Sequence, residues 1–290
     1  MTSLTIYEPR WLKGQRPAKP PFTTFECASF CCTQWREFRL LVEIYRRGLV
    51  SSVGKTGLLS RKFELKARVK PDAFAQFAAD HEDADVCMVN AFPMVPYLAH
   101  DVWMHAEGYH PGITERAQAW VDAAGLGFDL ASSPRHTPEV TCTCNFWVAT
   151  PAVWKAFVGG ILEPMAQYLE RHPDSSVTRR VLEIADYLEP VPFLPFIAER
   201  MFTTFLASTS GLRIAQYPLS KTAATDYCLT EFTRTAVSGL LPAVEQADMS
   251  KAYPEYLKDQ QRLICRLAGI YSRTYYSQYQ HPFSAPDANN

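Results

Sequence analysis

Apolar positions along the chain fall into short runs punctuated by proline and glycine, and two periods alternate. Leu4 to Tyr7 predicts a first strand. Thr33 to Arg47 places Phe38, Leu41, Ile44 and Tyr45 at helical spacing and stops at Gly48. The segment SSVGKTGLLSRKF predicts a polar loop or strand end, after which Pro71 to Ala79 returns to helical spacing through Phe74 and Phe77. Asp85 to Asn90 (DVCMVN), with acids before it and prolines after, predicts a buried strand of the parallel-sheet kind. Helical spacing resumes over Tyr97 to Glu107 and Thr114 to Ala124, with Gly125 and Gly127 as stop signals.

The stretch VTCTCNFWVA alternates as a half-exposed strand would, with Cys142 and Cys144 on one side. Thr150 then offers an N-cap and Pro151 a first helical position, predicting a long helix bent near Pro164. A further helix is predicted over Val177 to Leu188, another starting near Ile197 with Met201, Phe202 and Phe205, and a last strand over Leu212 to Tyr217. Tyr256 to Tyr271 reads as an amphipathic helix through Leu257, Leu263, Ile264, Leu267 and Ile270, followed by a tyrosine-rich tail. Few strands and many helices predict an α/β domain with helical C-terminal additions.

Composition narrows the class. With 290 residues, 47% hydrophobic and 20% charged, the chain has ample material for a buried core and is unlike a disordered one. Its 29 basic and 30 acidic residues create no global field for nucleic acid. A transmembrane helix needs about 18 nearly unbroken apolar residues, and Asn90, Pro93, Pro96, His100 and Asp101 interrupt the richest run. The opening MTSLTIYEPRW lacks the basic and apolar regions of a secretory signal, which points to the cytoplasm. The eight cysteines, including Cys31-Cys32 and Cys142/Cys144, lack Cys-x-x-Cys spacing and read as reduced, buried thiols.

No GxGxxG, Walker, HExxH or GxSxG motif is present. His100, His105 and His110 are five residues apart, a step of about 140° around a helix, so their rings do not converge on a metal. His110, in GYHPG, sits on a loop. Asp83-Ala84-Asp85 has the Asp-x-Asp form that holds divalent metal on nucleotide diphosphates, but it precedes the apolar run instead of following it and reads as a solvated turn. Lys55, Arg61, Lys62, Lys66 and Arg68 surround a glycine-containing turn at a strand's end, where cations either grip a pyrophosphate or form a solvated face. Glu199-Arg200 reads as a surface ion pair or as a general base beside a cation. Phe146, Trp147, Trp154 and the C-terminal tyrosines offer core, sugar-stacking or membrane-proximal rings, and the C-terminal helix a self-association face.

Three segments, GLLSRKFELKA at 57–67, NFWVATPAVWKAF at 145–157 and PFIAERMFTTFL at 195–206, together resemble bacterial glycosyltransferases and glycosyltransferase-like proteins of cell-surface polysaccharide loci, related to the DUF4422 group. DADVCMVNAFP and GYHPG resemble pieces of the same group, and the likeness spans roughly residues 35–220. The resemblance implies a GT-A-like mixed sheet flanked by helices, with a nucleotide-sugar-binding catalytic domain over 1–220 and a helical extension over 221–290. It implies transfer of a sugar from a nucleotide-sugar donor to a glycan or glycolipid acceptor, with peripheral membrane contact compatible with it. Glu199 matches the acidic residue at a helix start that serves as general base. Arg61, Lys62, Lys66 and Arg200 stand where the donor phosphates would bind. No metal ligands are assigned and no cofactor is required, with manganese or magnesium as the alternative. Asn90, His110 and Asn145 would position sugar or acceptor. Two other readings stand beside it: a non-catalytic binding or assembly protein on a degenerate transferase fold, and a cysteine/histidine hydrolase, which needs a thiol within reach of a histidine.

Overall fold

A computed structural model describes residues 3–27, 33–185 and 190–283; Cys31, Cys32 and the expected helix end at Leu188 lie outside them. In chain order the elements are β1 (Leu4–Arg10), β2 (Phe22–Glu26), α1 (Arg36–Arg46), β3 (Lys55–Leu58), α2 (Phe63–Ala67), α3 (Pro71–Asp80), β4 (Val86–Met88), α4 (Val95–Leu98), α5 (Val102–Tyr109) and α6 (Ile113–Ala123). There follow β5 (Trp147–Ala149), α7 (Pro151–Trp154), α8 (Glu163–Arg171), α9 (Ser176–Leu182), α10 (Phe193–Ser208), β6 (Ile214–Gln216), α11 (Ala223–Asp226), α12 (Glu231–Ser250) and α13 (Glu255–Tyr276). The described strands form one six-stranded mixed sheet in the order β2-β1-β3-β5-β4-β6. β5 runs antiparallel to both β3 and β4, while the other pairings are parallel. The protein is therefore α/β, as the pattern predicted.

The central strands are buried on both faces. Val86, Met88, Trp147 and Ala149 face one apolar cluster with α1 and α10, and Cys87 and Val148 face a second with Phe63, Phe74 and Phe146. This is why β5 departs from its predicted half-exposed alternation: a strand between two others and beneath helices on each side has no wet face. It is also shorter than predicted. Cys142 and Cys144 lie in a loop before β5, so strand alternation does not describe them. Phe146, Trp147 and Trp154 are fully buried and present no ring to a sugar or a membrane.

Helix boundaries follow local chemistry. The stretch read as one helix from Tyr97 breaks at Ala99–Asp101, because the Asp101 carboxylate accepts from the Trp103 and Met104 amides, at 2.9 and 2.8 Å, and starts α5 as its N-cap. Thr150 occupies the N-cap position of α7 without a side-chain cap. Between α7 and α8, Lys155–Leu162 is wound as a π-helix, so the irregularity near Pro164 comes in the turns before it. A wider turn relieves the clash between a proline ring and the carbonyl four residues earlier. Arg46 of α1 grips Glu163 and Glu170 of α8, its guanidinium donating at 2.9 and 2.8 Å, which holds the Glu170 carboxyl below its ordinary range.

The C-terminal helices pack against α4 and α5, and α13 crosses α5 at two glycines. A Cβ on Gly269 would stand 2.0 Å from the Gly108 carbonyl oxygen, and one on Gly108 2.7 Å from that of Cys265. Both obstacles are backbone, so neither can swing aside. Gly269→Ala is expected to lower unfolding free energy by about 1–3 kcal/mol through overpacking, despite alanine's better helix propensity. Gly239 of α12 has nothing within 4 Å of its would-be Cβ, so Gly239→Ala should raise stability by about 0.5–1 kcal/mol. Denaturant unfolding of the two variants, read against the parent chain, checks both signs.

Candidate functional site

A cavity of about 350 Å³ opens at the carboxyl ends of β3 and β4 and beside the start of antiparallel β5. Open α/β sheets bind ligands at this edge, and the volume suits a small molecule. Ser60 and Lys62 reach it from the turn after β3, Phe92 and Met94 from the turn after β4, and Asn145 from the turn before β5. On α10, Phe196, Glu199, Arg200 and Thr203 line it, a spacing that keeps them on one helix face.

The floor is a stitched loop. Thr203 Oγ1 accepts from the Cys142 amide and donates to the Cys142 carbonyl, both at 3.0 Å. One turn earlier, Glu199 Oε1 accepts from the Cys144 amide at 2.8 Å. Cys144 and Asn145 have φ of 62° and 53°, two consecutive left-handed residues. Asparagine tolerates this conformation and cysteine does so rarely, so the loop stores strain that its bonds to α10 hold in place. The Asn145 side-chain oxygen is buried with no hydrogen-bond partner among the described residues, and Asn145 lines the cavity.

The expected site residues divide into two groups. Glu199, Lys62, Lys66, Arg200, His110 and Asn145 all line the cavity. Glu199 stands in the second turn of α10, because that helix begins at Phe193, earlier than its apolar spacing indicated. Arg61 and Asn90 do not line it. Arg61 points the opposite way from Lys62: its side chain is 6% exposed, Nη1 donates to the Arg16 carbonyl at 3.0 Å, and Glu8 Oε1 lies 3.5 Å away. Asn90 is buried, with Oδ1 accepting from the Thr143 hydroxyl at 2.7 Å and the Phe92 amide at 3.1 Å, so it ties the turn after β4 to the stitched loop. Of the other basic candidates, Lys55 is buried and donates to the His81 carbonyl, and Arg68 lies over the Tyr227 ring. Asp85 accepts from the Arg213 amide at the opposite edge of the sheet, which agrees with a turn before β4 and not with a ligand site. Among the described residues no group of three or more His, Cys, Asp or Glu could hold a metal ion.

Sequence reasoning missed the far wall. Glu37 enters from α1, His105 from α5, and Ser272, Arg273 and Tyr276 from α13. The chain after α13 also crosses the cavity: the Lys62 ammonium donates to the Phe283 carbonyl, and Lys66 Nζ sits 5.9 Å from the Phe283 ring centre. No motif marks these residues, and those of α5 and α13 reach the cavity through the crossing of the two helices.

Burial sets the charge state of the thiols and imidazoles around the cavity. Burial pushes the Cys144 thiol up to about 12, with the Lys66 ammonium, 3.7 Å from its sulfur, pulling the other way. Burial also pushes the Cys142 thiol well above its ordinary value. Both are thiols near neutral pH, whereas a nucleophilic cysteine needs a lowered value. Among the described residues no hydrogen bond joins a histidine ring to a cysteine sulfur. Burial, and then the Arg200 charge, pushes His105 down to about 3 and His110 lower. The His110 ring stacks on Phe196 at 4.0 Å between centres.

Comparison with protein-family models, with curated proteins and with solved structures finds no significant match in any of the three.

His110 and His136, exposed by 3% and 1%, are held neutral. His136 Nδ1 accepts from the Val102 amide at 3.1 Å, a bond that protonation removes, and burial pushes the ring down to about 4. Their folded values lie below the unfolded one, so their contribution is complete above pH about 6.5 and is lost as pH falls, when the unfolded chain takes up protons first. Unfolding free energy is expected to drop between pH 6.5 and 4 by up to about 1.4 kcal/mol per pH unit for each ring. His136→Gln should flatten that slope in denaturant titrations run across this range.

Proposed function

We propose that the chain is a glycosyltransferase of GT-A-like fold that moves a sugar from a nucleotide-sugar donor to a hydroxyl of a glycan or glycolipid, with Glu199 as general base. The observation that carries this reading is the meeting of Glu199 with Lys62 and Lys66 in one cavity at the carboxyl edge of a mixed sheet. One carboxylate oxygen of Glu199 is engaged by the Cys144 amide, which leaves the other to take the proton of an acceptor hydroxyl as that oxygen bonds to the anomeric carbon. The bond from the anomeric carbon to the diphosphate breaks, and its electron pair stays on the phosphate oxygen. Lys62 and Lys66 neutralise the charge that develops there, the role a divalent metal has in other transferases. Attack from the side opposite the leaving group inverts the anomeric centre. Asn145, with its unpartnered buried oxygen, accepts a sugar hydroxyl, and the stacked Phe196 and His110 form an apolar wall beside it. His110 serves as a neutral surface and not as an acid.

The reading predicts that a nucleoside diphosphate stabilises the protein, by about 2.7 kcal/mol at a hundred times its Kd, and that Lys62→Gln with Lys66→Gln removes most of that gain. Glu199→Gln retains an oxygen for the Cys144 amide, so it should still bind the donor while transfer falls by about 10²–10⁴-fold. Thermal shift across nucleoside diphosphates and nucleotide sugars, followed by transfer assays on metal-stripped protein, checks each part. Absence of any shift would return the protein to the non-catalytic binding reading, and rescue of stripped protein by manganese or magnesium would overturn the lysine role.

A further inference from the structure

Helix α13 is apolar on two sides. Its inner side, with Leu257, Cys265, Ala268 and Gly269, is buried against the body. Its outer side carries Leu263, Leu267 and Ile270, exposed by 59%, 44% and 47% and spaced by four and three residues, so they form one stripe along the helix. Tyr256 and Tyr271 end the stripe, and Tyr271, Tyr275 and Tyr279 continue it as a stacked series with centres 6.0 and 4.6 Å apart. A line of large apolar side chains left in solvent marks an interaction surface, whereas scattered single ones need no explanation.

Charge indicates what covers it. From Gln260 to Phe283 the chain has Arg262, Arg266 and Arg273 and no acidic residue. Arg262 and Arg266 fall on one flank of the stripe, and the Arg262 guanidinium is paired with Asp259 one turn back. We propose that the outer stripe of α13 seats on a bilayer surface that contains anionic lipid, with the helix lying in the interface plane. Leucine and isoleucine enter the boundary of the acyl chains, tyrosines sit at headgroup level, and arginines meet lipid phosphates. No described helix is long and apolar enough to cross a membrane, and α13 carries four basic and two acidic residues, which suits lying on the surface. Ser272, Arg273 and Tyr276 of the same helix line the cavity. Seating therefore places the cavity wall, on the other side of the same helix, one helix diameter (~10 Å) from the headgroups, and only the corollary that the acceptor is lipid-borne rests on the transferase reading.

Cosedimentation of the full chain with vesicles of phosphatidylcholine, with and without phosphatidylglycerol, tests the surface without any transfer assay. The chain is expected to partition onto the anionic vesicles and to leave them at high salt. Arg266→Gln should weaken that binding about fivefold. The triple change Leu263→Gln, Leu267→Gln and Ile270→Gln should weaken it by about tenfold or more. These side chains are exposed, so melting temperatures should hold, and Leu267→Gln alone provides a milder variant should the triple one fold poorly. No partitioning onto anionic vesicles, or equal partitioning by the stripe variants, would sink the proposal. So would light scattering that finds a dimer which the triple change makes monomeric, since the stripe would then be a self-association face.

Discussion

Two side chains one turn apart on α10, Glu199 and Thr203, hold the backbone of the loop at 142–144. Much of the site depends on that clamp. The loop adopts an unfavourable left-handed pair at Cys144 and Asn145, and it passes its position on to the turn after β4, because the Thr143 hydroxyl bonds Asn90 and accepts the Phe92 amide. Glu199 thus does two things at once. It fixes the floor of the cavity and, in the proposed reaction, offers its other oxygen to substrate. The strain in the loop is sustained by hydrogen bonds that an unstrained loop would not require.

The cavity is also uneven in charge. Near the sheet edge Lys62 and Lys66 face Glu199, whereas the wall made by α5 and α10 carries histidines whose basicity burial and Arg200 suppress. Near neutral pH the His105 and His110 rings are thereby neutral and the Cys142 and Cys144 thiols protonated. The same burial that makes the histidines poor proton acceptors makes them good packing surfaces, as the His110–Phe196 stack illustrates.

How far the sequence spoke depended on how local each feature is. α1 and α3 were legible because amphipathic spacing needs only the helix itself. β2 was not, because its buried Phe22 and Phe25 sit three residues apart and break strand alternation. β5 was placed but misread as half-exposed, since being covered on both faces is a property of the sheet and not of the segment. Glu199 was legible as a carboxylate beside a cation, and Lys62 and Lys66 as bases after a strand. Arg61 was not separable from Lys62, because a turn sends adjacent side chains to opposite sides. The far wall from α13 was hidden altogether: its position rests on two glycines more than a hundred residues apart that meet only in the folded chain.

That glycine crossing carries a consequence for the order of assembly. The wall at Ser272, Arg273 and Tyr276 leaves the ribosome after the floor at 142–145 and the clamp on α10, which precede it in the chain. A nascent chain can complete its sheet and its stitched loop and still have an open trough where the cavity will be. Closure waits for α13 to dock on α5, so competence to enclose a ligand follows the floor and the clamp in the order of synthesis.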